Sequence, residues 1–313
     1  MWEFINFLLI ITILIIILVS IIIIFMLYFH IKNYVTETIE QVGSMIPMLE
    51  QYEYKNIQYN SLSLHNLNDN KNLSLFLINI NMSSYNICGE YDSQLPSHIK
   101  YIKNIGNNGY IYEMFINDKN ILILSFRGTR SGDDIITDLD SVQCEMASYN
   151  KEILVHRGFY KLWIVYKKDI RDYIKYKEPD TVLITGHSLG CSSAAFTAMM
   201  LSSHYNVILY MFAPPRIGNH YFVNKLNELV PTNFSFINRT DLITSLPPVT
   251  FTTIGNTWLY ENFTNCLYLD IQMGSISLNH RLDTYICGIL DNSDDLCKDP
   301  IWKKQTSIMI NNY

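Results

Sequence analysis

The sequence predicts an α/β fold with a mostly parallel central sheet, preceded by one N-terminal transmembrane helix, and three observations predict it. Short apolar runs at residues 181–185, 207–212 and 235–238 alternate with helix-forming stretches at 162–176, 189–200 and 220–229, as expected of strands joined by crossover helices. The turn between the first of these strands and its helix reads Gly186-His187-Ser188-Leu189-Gly190. Upstream, residues 7–29 are apolar apart from Thr12, Ser20 and Tyr28, and as a helix they would run about 34 Å, enough to cross a bilayer.

The N-terminal run is longer than the apolar core of a secretory signal, about 7–15 residues. Tyr28-Phe29-His30-Ile31-Lys32 follows it in place of a small-residue cleavage site, so residues 1–30 read as an uncleaved membrane anchor. Lys32 is the one nearby base after the span and favours a cytoplasmic main domain. Sequons at Asn72, Asn81, Asn233, Asn238 and Asn262 point the other way, to a lumenal one, and the sidedness stays open. Residues 31–74, with a helix expected at 35–42 and an exposed Asn-rich loop at 66–72, read as a stalk or capping segment. Residues 75–313 form the main domain. It opens on a hairpin, strands at 110–116 and 121–126 around Asn117-Asp118-Lys119-Asn120, which leads into the sheet.

With 313 residues and 49% apolar content, the chain can build a sizeable core. A net charge of -6 with scattered Lys and Arg excludes a nucleic-acid partner. The six cysteines, at 88, 144, 191, 266, 287 and 297, include no C-x-x-C pair, and H-E-x-x-H is absent, so no metal site is expected. Whether any of them pair depends on the compartment. Cys191, inside the helix after the turn, reads as a small buried residue.

G-x-S-x-G between strand and helix is a nucleophile elbow, in which flanking glycines let the backbone turn tightly enough to present the serine hydroxyl. Ser188 is a weak nucleophile alone and needs a base within hydrogen-bond reach, itself oriented by an acid. On such a sheet the partners follow in the order acid, then histidine. His30, His65, His98 and His156 precede the elbow, His187 lies in it, and His204 and His220 sit at the end and start of the next two helices. His280 remains as the base by elimination. Asp241, just beyond the strand at 235–238, stands where a carboxylate emerges at the C-terminal edge of the sheet. Its rivals are Asp270, inside an apolar run at 267–273, and Asp283, too near His280 in sequence. The backbone N–H of Leu189 supplies one oxyanion donor. Thr129, in the turn after the strand at 121–126, offers a second through its N–H and hydroxyl.

Six ordered blocks carry a family resemblance: Phe126-Arg127-Gly128-Thr129, Asp138-Leu139, Val155-His156-Arg157-Gly158-Phe159, the elbow, Pro215-Arg216-Ile217-Gly218-Asn219, and Asn238-Arg239-Thr240-Asp241 leading to Leu246-Pro247-Pro248. In this order, over roughly residues 75–290, the chain resembles the fungal-type class 3 lipases. The resemblance implies an α/β-hydrolase fold and cofactor-free hydrolysis of carboxylic esters. It implies a triad of Ser188, Asp241 and His280, with Thr129 and Leu189 as the oxyanion hole. The chain departs from the family pattern at Cys191, where glycine is usual, and at Thr244, where proline is usual, which bears on local packing and pocket shape.

Relatives carry a lid where this chain has residues 130–140. Ile135, Ile136 and Leu139 would share one face of a short helix there, opposite Asp134 and Asp138, and an amphipathic lid or a plain surface helix both fit. The expected substrate is a lipid ester, an acylglycerol met at the membrane that the N-terminal helix occupies. The alternatives are phospholipase A1-type activity, a catalytically silent membrane-tethered lipid-binding relative, and a peptidase or thioesterase on the same fold.

Overall fold

In a computed structural model of the chain the described residues are 70–85, 99–116, 118–128, 141–253 and 255–290. The expected anchor at 7–29, the helix at 35–42, Thr129 and the lid candidates Ile135, Ile136 and Leu139 lie outside them. Among the described residues no helix is long and apolar enough to cross a membrane.

Helix α1 (Asn70–Ser83) comes first. It begins inside the expected Asn-rich loop and runs through the expected segment boundary at 74/75. Its sequence lacks a helical stripe because it is buried on several sides at once, with Ser74, Asn79 and Asn81 as enclosed as Leu73 and Leu77. Strands β1 (Ile99–Ile105), β2 (Gly109–Ile116) and β3 (Lys119–Phe126) then form an antiparallel meander. The β2–β3 turn is tighter than expected, since Lys119 already pairs with Ile116.

A small antiparallel ribbon, β4 (Gln143–Glu145) and β5 (Leu154–His156), precedes helix α2 (Arg157–Lys177). The helix starts five residues before the expected 162, where the His156 side chain accepts from Phe159 N at 3.3 Å as its N-cap. This early start re-aims the buried face. Phe159, Trp163, Tyr166, Ile170 and Ile174 pack inward at three- and four-residue steps, whereas Val165, within the stretch expected to be helical, is 80% exposed. Large aromatic rings at 159, 163 and 166 outweigh one valine in setting the phase.

Strand β6 (Thr181–His187), helix α3 (Gly190–Leu201), strand β7 (Asn206–Phe212), helix α4 (His220–Leu229) and strand β8 (Asn233–Asn238) follow as read from the sequence, with ends shifted by one or two residues. A 3-10 turn (Leu242–Ser245), the hairpin of β9 (Thr250–Thr253) and β10 (Asn256–Leu259), strand β11 (Cys266–Leu269), and helices α5 (Ile276–Asn279) and α6 (Leu282–Ile289) complete the described chain. The sheet order is β1-β2-β3-β6-β7-β8-β11, parallel from β3 to β11.

Alternation along the strands divides the core in two. Leu122, Leu124 and Phe126 face one side with α2, α3 and α4. Ile121 and Ile123 face the other with α1 and α6. Helices on both faces explain why β6 is buried at all seven positions and reads as a continuous apolar run. The amides of Asn81, Asn233 and Asn238 are buried, so these three sequons cannot carry glycans in the folded domain.

Candidate active site

The elbow works by close approach. A Cβ on Gly190 would lie 2.2 Å from the carbonyl oxygen of Phe126, and one on Gly186 would lie 2.8 Å from the Cα of Cys191. In both cases the obstacle is backbone, which cannot step aside. Gly190→Ala is therefore expected to destabilise the domain by about 3 kcal/mol or more; a thermal melt that moves by less than a few degrees would contradict it. Between the glycines Ser188 sits at φ 55°, a left-handed conformation that disfavours any residue with a Cβ. The turn is held from below, because Ser188 N donates to the carbonyl of Phe212 at 3.0 Å.

Cys191 has a role in the same place. Its thiol donates to that Phe212 carbonyl at 3.2 Å, and burial pushes the thiol well above its ordinary pKa, so it stays protonated. Thr244, the other departure from the family pattern, donates through its hydroxyl to the carbonyl of Asp241 at 2.9 Å. Both substitutions thus add a hydrogen bond to a turn of the site.

Ser188, His280 and Asp241, far apart in sequence, are brought into one line. His280 Nε2 lies 2.8 Å from Ser188 Oγ and His280 Nδ1 lies 2.7 Å from Asp241 Oδ2. Ser188 is 2% exposed and Asp241 1%, so the line runs mostly out of water, where its electrostatics are strong. The other Asp241 oxygen, Oδ1, accepts from Ile243 N at 3.0 Å. The two rivals for the acid lie elsewhere. Asp270 follows the end of β11, not a strand face, and its exposed carboxylate pairs with Arg239 at 2.6 Å. Asp283 pairs with Arg281.

Two asparagines fix the loop that carries the histidine to the strand that carries the acid. Asn238 Nδ2 donates to the carbonyls of Ile271 at 2.9 Å and Asn279 at 3.1 Å. Asn279 Nδ2 donates back to Thr240 O at 3.0 Å. Arg216 steadies the loop beyond the acid, donating to the carbonyls of Ser245 and Pro247. Leu189 is the N-cap of α3, where the leading amides of a helix lack i−4 partners, so its N–H belongs to the set available to an oxyanion.

Tyr285 is a site residue that the sequence did not reveal. Its hydroxyl donates to Asp241 Oδ2 at 2.7 Å and accepts from Asn238 N at 3.1 Å. Burial, and then the neighbouring Asp241 charge, push the phenol well above its ordinary pKa, so it remains a donor. Its position five residues after His280, in α6, was the only available signal. Tyr285→Phe is expected to cost about 1.5–3 kcal/mol, the value of a hydrogen bond to a charged group, with a smaller loss of turnover; unchanged denaturant unfolding would refute it.

Among the described residues no group of His, Cys, Asp and Glu is arranged to hold a metal ion. The profile of the family described as lipase (class 3) matches residues 123–251, a span that contains Ser188 and Asp241, with His280 beyond it. A secreted mono- and diacylglycerol lipase of Fusarium solani is 27% identical over 142 residues, 43% of this chain and 42% of that protein. A chloroplastic phospholipase A(1) of Arabidopsis thaliana is 26% identical over 151 residues, 41% and 34%. A lipase of Rhizomucor miehei is 30% identical over 147 residues, 43% and 39%. The matched stretches thus span less than half the length of these relatives. A nonglycosylated lipase from Yarrowia lipolytica superposes with a TM-score of 0.53 at 17% identity, covering 64% of this chain and 79% of that one, which shows the fold. A lipase (class 3) match is thus centred on the elbow strand and its neighbours, with the sheet of an α/β-hydrolase fold around them, and over residues 123–251 the chain is similar to the class 3 lipase family.

Proposed function

We propose that the protein is a serine hydrolase that cleaves carboxylic ester bonds of lipids, acylglycerols first among them. The observation that carries this reading is the unbroken line from Ser188 Oγ through His280 to Asp241, with steps of 2.8 and 2.7 Å. Ser188 Oγ attacks the ester carbonyl carbon, forming a C–O bond while its proton passes to His280 Nε2. The carbonyl oxygen becomes an oxyanion, held by the Leu189 N–H and by Thr129. As the intermediate collapses, His280 returns the proton to the departing alcohol oxygen and leaves an acyl-Ser188 ester. Water then attacks that ester with His280 again as base, releasing the fatty acid and restoring the serine. Asp241 holds the imidazole in the tautomer that keeps Nε2 free to accept, and no cofactor takes part.

Support for a lipid substrate comes from the surroundings of the triad. Leu242, next to Asp241, is 53% exposed, and Ile276, one turn before His280, is 54% exposed. Leu246 and Val249 are exposed on the loop that follows. Apolar side chains in water on the segments that carry the acid and the base suit an acyl chain or a lipid surface. The apolar segment at 7–29 would act as the anchor that confines the enzyme where such esters reside, and Ile135, Ile136 and Leu139 would form the apolar face of a lid.

The test is a fluorophosphonate probe and a lipid panel on the full chain in detergent, with Ser188→Ala as control. Labelling of the wild type alone, with fatty acid released from acylglycerols, supports the reading. Absence of labelling in folded wild type would overturn it in favour of a silent lipid-binding relative, and release from phospholipids only would move it to a phospholipase.

A further inference from the structure

Tyr85 and His187 join the two halves of the site through backbone atoms. His187 Nε2 lies 2.9 Å from the carbonyl oxygen of His280. A carbonyl can only accept, so Nε2 carries the hydrogen. Burial, and then the neighbouring His280 ring, hold the imidazole well below its ordinary pKa, so the ring is neutral and Nδ1 offers a lone pair. Tyr85 Oη, 2.5 Å away, therefore donates to Nδ1. The same oxygen accepts the N–H of Gly128 at 2.7 Å. Every direction in the chain is then determined: Gly128 N–H to Tyr85, Tyr85 O–H to His187, His187 N–H to His280 C=O.

A buried histidine needs partners merely to be tolerated, and that would account for two hydrogen bonds anywhere. Here both ends of the chain are backbone atoms of the segments that matter. Gly128 immediately precedes Thr129 and lies against the elbow, since a Cβ built on it would come 2.9 Å from Ser188 Cβ. His280 carries the ring that meets Ser188. The same end of helix α1 grips the same end of β3 twice more. Asn81 Nδ2 donates to Phe126 O at 3.1 Å, and Ser84 Oγ to Ser125 Oγ at 2.8 Å.

We infer that Tyr85 and His187 are positioning residues for ester hydrolysis, tying the oxyanion end of β3 to the backbone of His280 so that the oxyanion donors and the base are set against Ser188 together. The inference rests on the serine hydrolase reading above. Removing a link loosens both groups relative to the tetrahedral intermediate, while ground-state substrate, bound mainly by its acyl chain, is little affected.

The experiment compares Tyr85→Phe, His187→Gln and His187→Phe in the full chain. It measures kcat and KM on a short soluble ester and affinity for an alkylboronic acid, which forms a tetrahedral adduct with serine. Tyr85→Phe should lower kcat roughly tenfold with KM within about twofold, well short of the 10²–10³-fold lost when an oxyanion donor itself is removed. Boronate affinity should fall by the same factor as kcat/KM. His187→Gln, which keeps a donor for the His280 carbonyl, should lose less than His187→Phe. Wild-type turnover and boronate affinity in Tyr85→Phe and His187→Phe, whatever happens to Tm, would overturn the inference, as would equal losses in the two His187 variants. Should Tyr85→Phe fail to fold, the His187 pair decides. Failure of wild type to react with a fluorophosphonate would instead remove the hydrolase reading beneath it.

Discussion

Replacing Ser188 with alanine is expected to lower kcat for ester hydrolysis by about 10⁶-fold, the scale on which a triad serine acts together with its base. Without Oγ, His280 Nε2 loses the partner now 2.8 Å away, and no acyl-enzyme can form. A small rate above background, of order 10³-fold over water, should persist from substrate binding and oxyanion donors alone. Stability separates the chemical loss from a structural one. Ser188 is held at φ 55°, where a Cβ costs roughly 1–2 kcal/mol. Ser188→Ala retains that cost and should melt near the wild type, whereas Ser188→Gly should be equally inactive yet more stable by about 1 kcal/mol. Steady-state kinetics with thermal melts of the three proteins check this; a glycine variant less stable than wild type would show that the turn is not a reservoir of strain.

Legibility followed burial geometry. Strands β6 and β7 lie between helices on both sides, so their residues are mostly apolar and stand out from their polar connections. Asp241 was readable because it follows the end of β8, and His280 because no other histidine remained after the elbow and its two helices. What escaped was what depends on contacts between distant segments. Helix α1 hides a Ser- and Asn-bearing face against β3, so its polar letters resemble a loop. Strand β11 is an edge strand with Leu267 and Tyr268 exposed, which blurred its end and left Asp270 looking like part of it. Tyr285 and Tyr85 are single tyrosines in a chain that holds 22, and nothing local distinguishes them. Their roles exist only once α6 and α1 have packed on one face of the sheet.

Asp241→Asn should lower kcat about 10⁴-fold, the scale for a triad acid whose replacement leaves the histidine in the wrong tautomer, and the structure says why asparagine cannot avoid that error. The carboxylate receives hydrogens on both oxygens: Oδ2 from His280 and Tyr285 at 2.7 Å each, and Oδ1 from the Ile243 amide at 3.0 Å. An asparagine has one oxygen. If that oxygen faced His280, its NH₂ would meet the N–H of Ile243, leaving two donors opposed in a buried turn. The amide therefore turns its oxygen to Ile243 and its NH₂ to His280. Tyr285 tolerates this, since its hydroxyl can rotate, but His280 Nδ1 must now accept. The imidazole hydrogen moves to Nε2, which donates to Ser188 Oγ and can no longer take its proton. Asp241→Asn should thus still fold, at a cost of no more than the roughly 1.5–3 kcal/mol of the Tyr285 hydrogen bond to the lost charge, bind substrate with a similar KM and lose fluorophosphonate reactivity along with turnover. Retention of wild-type kcat would break the link between Asp241 and the tautomer of His280, and an unfolded Asp241→Asn would mean that the buried turn cannot accept the exchange of oxygen for NH₂.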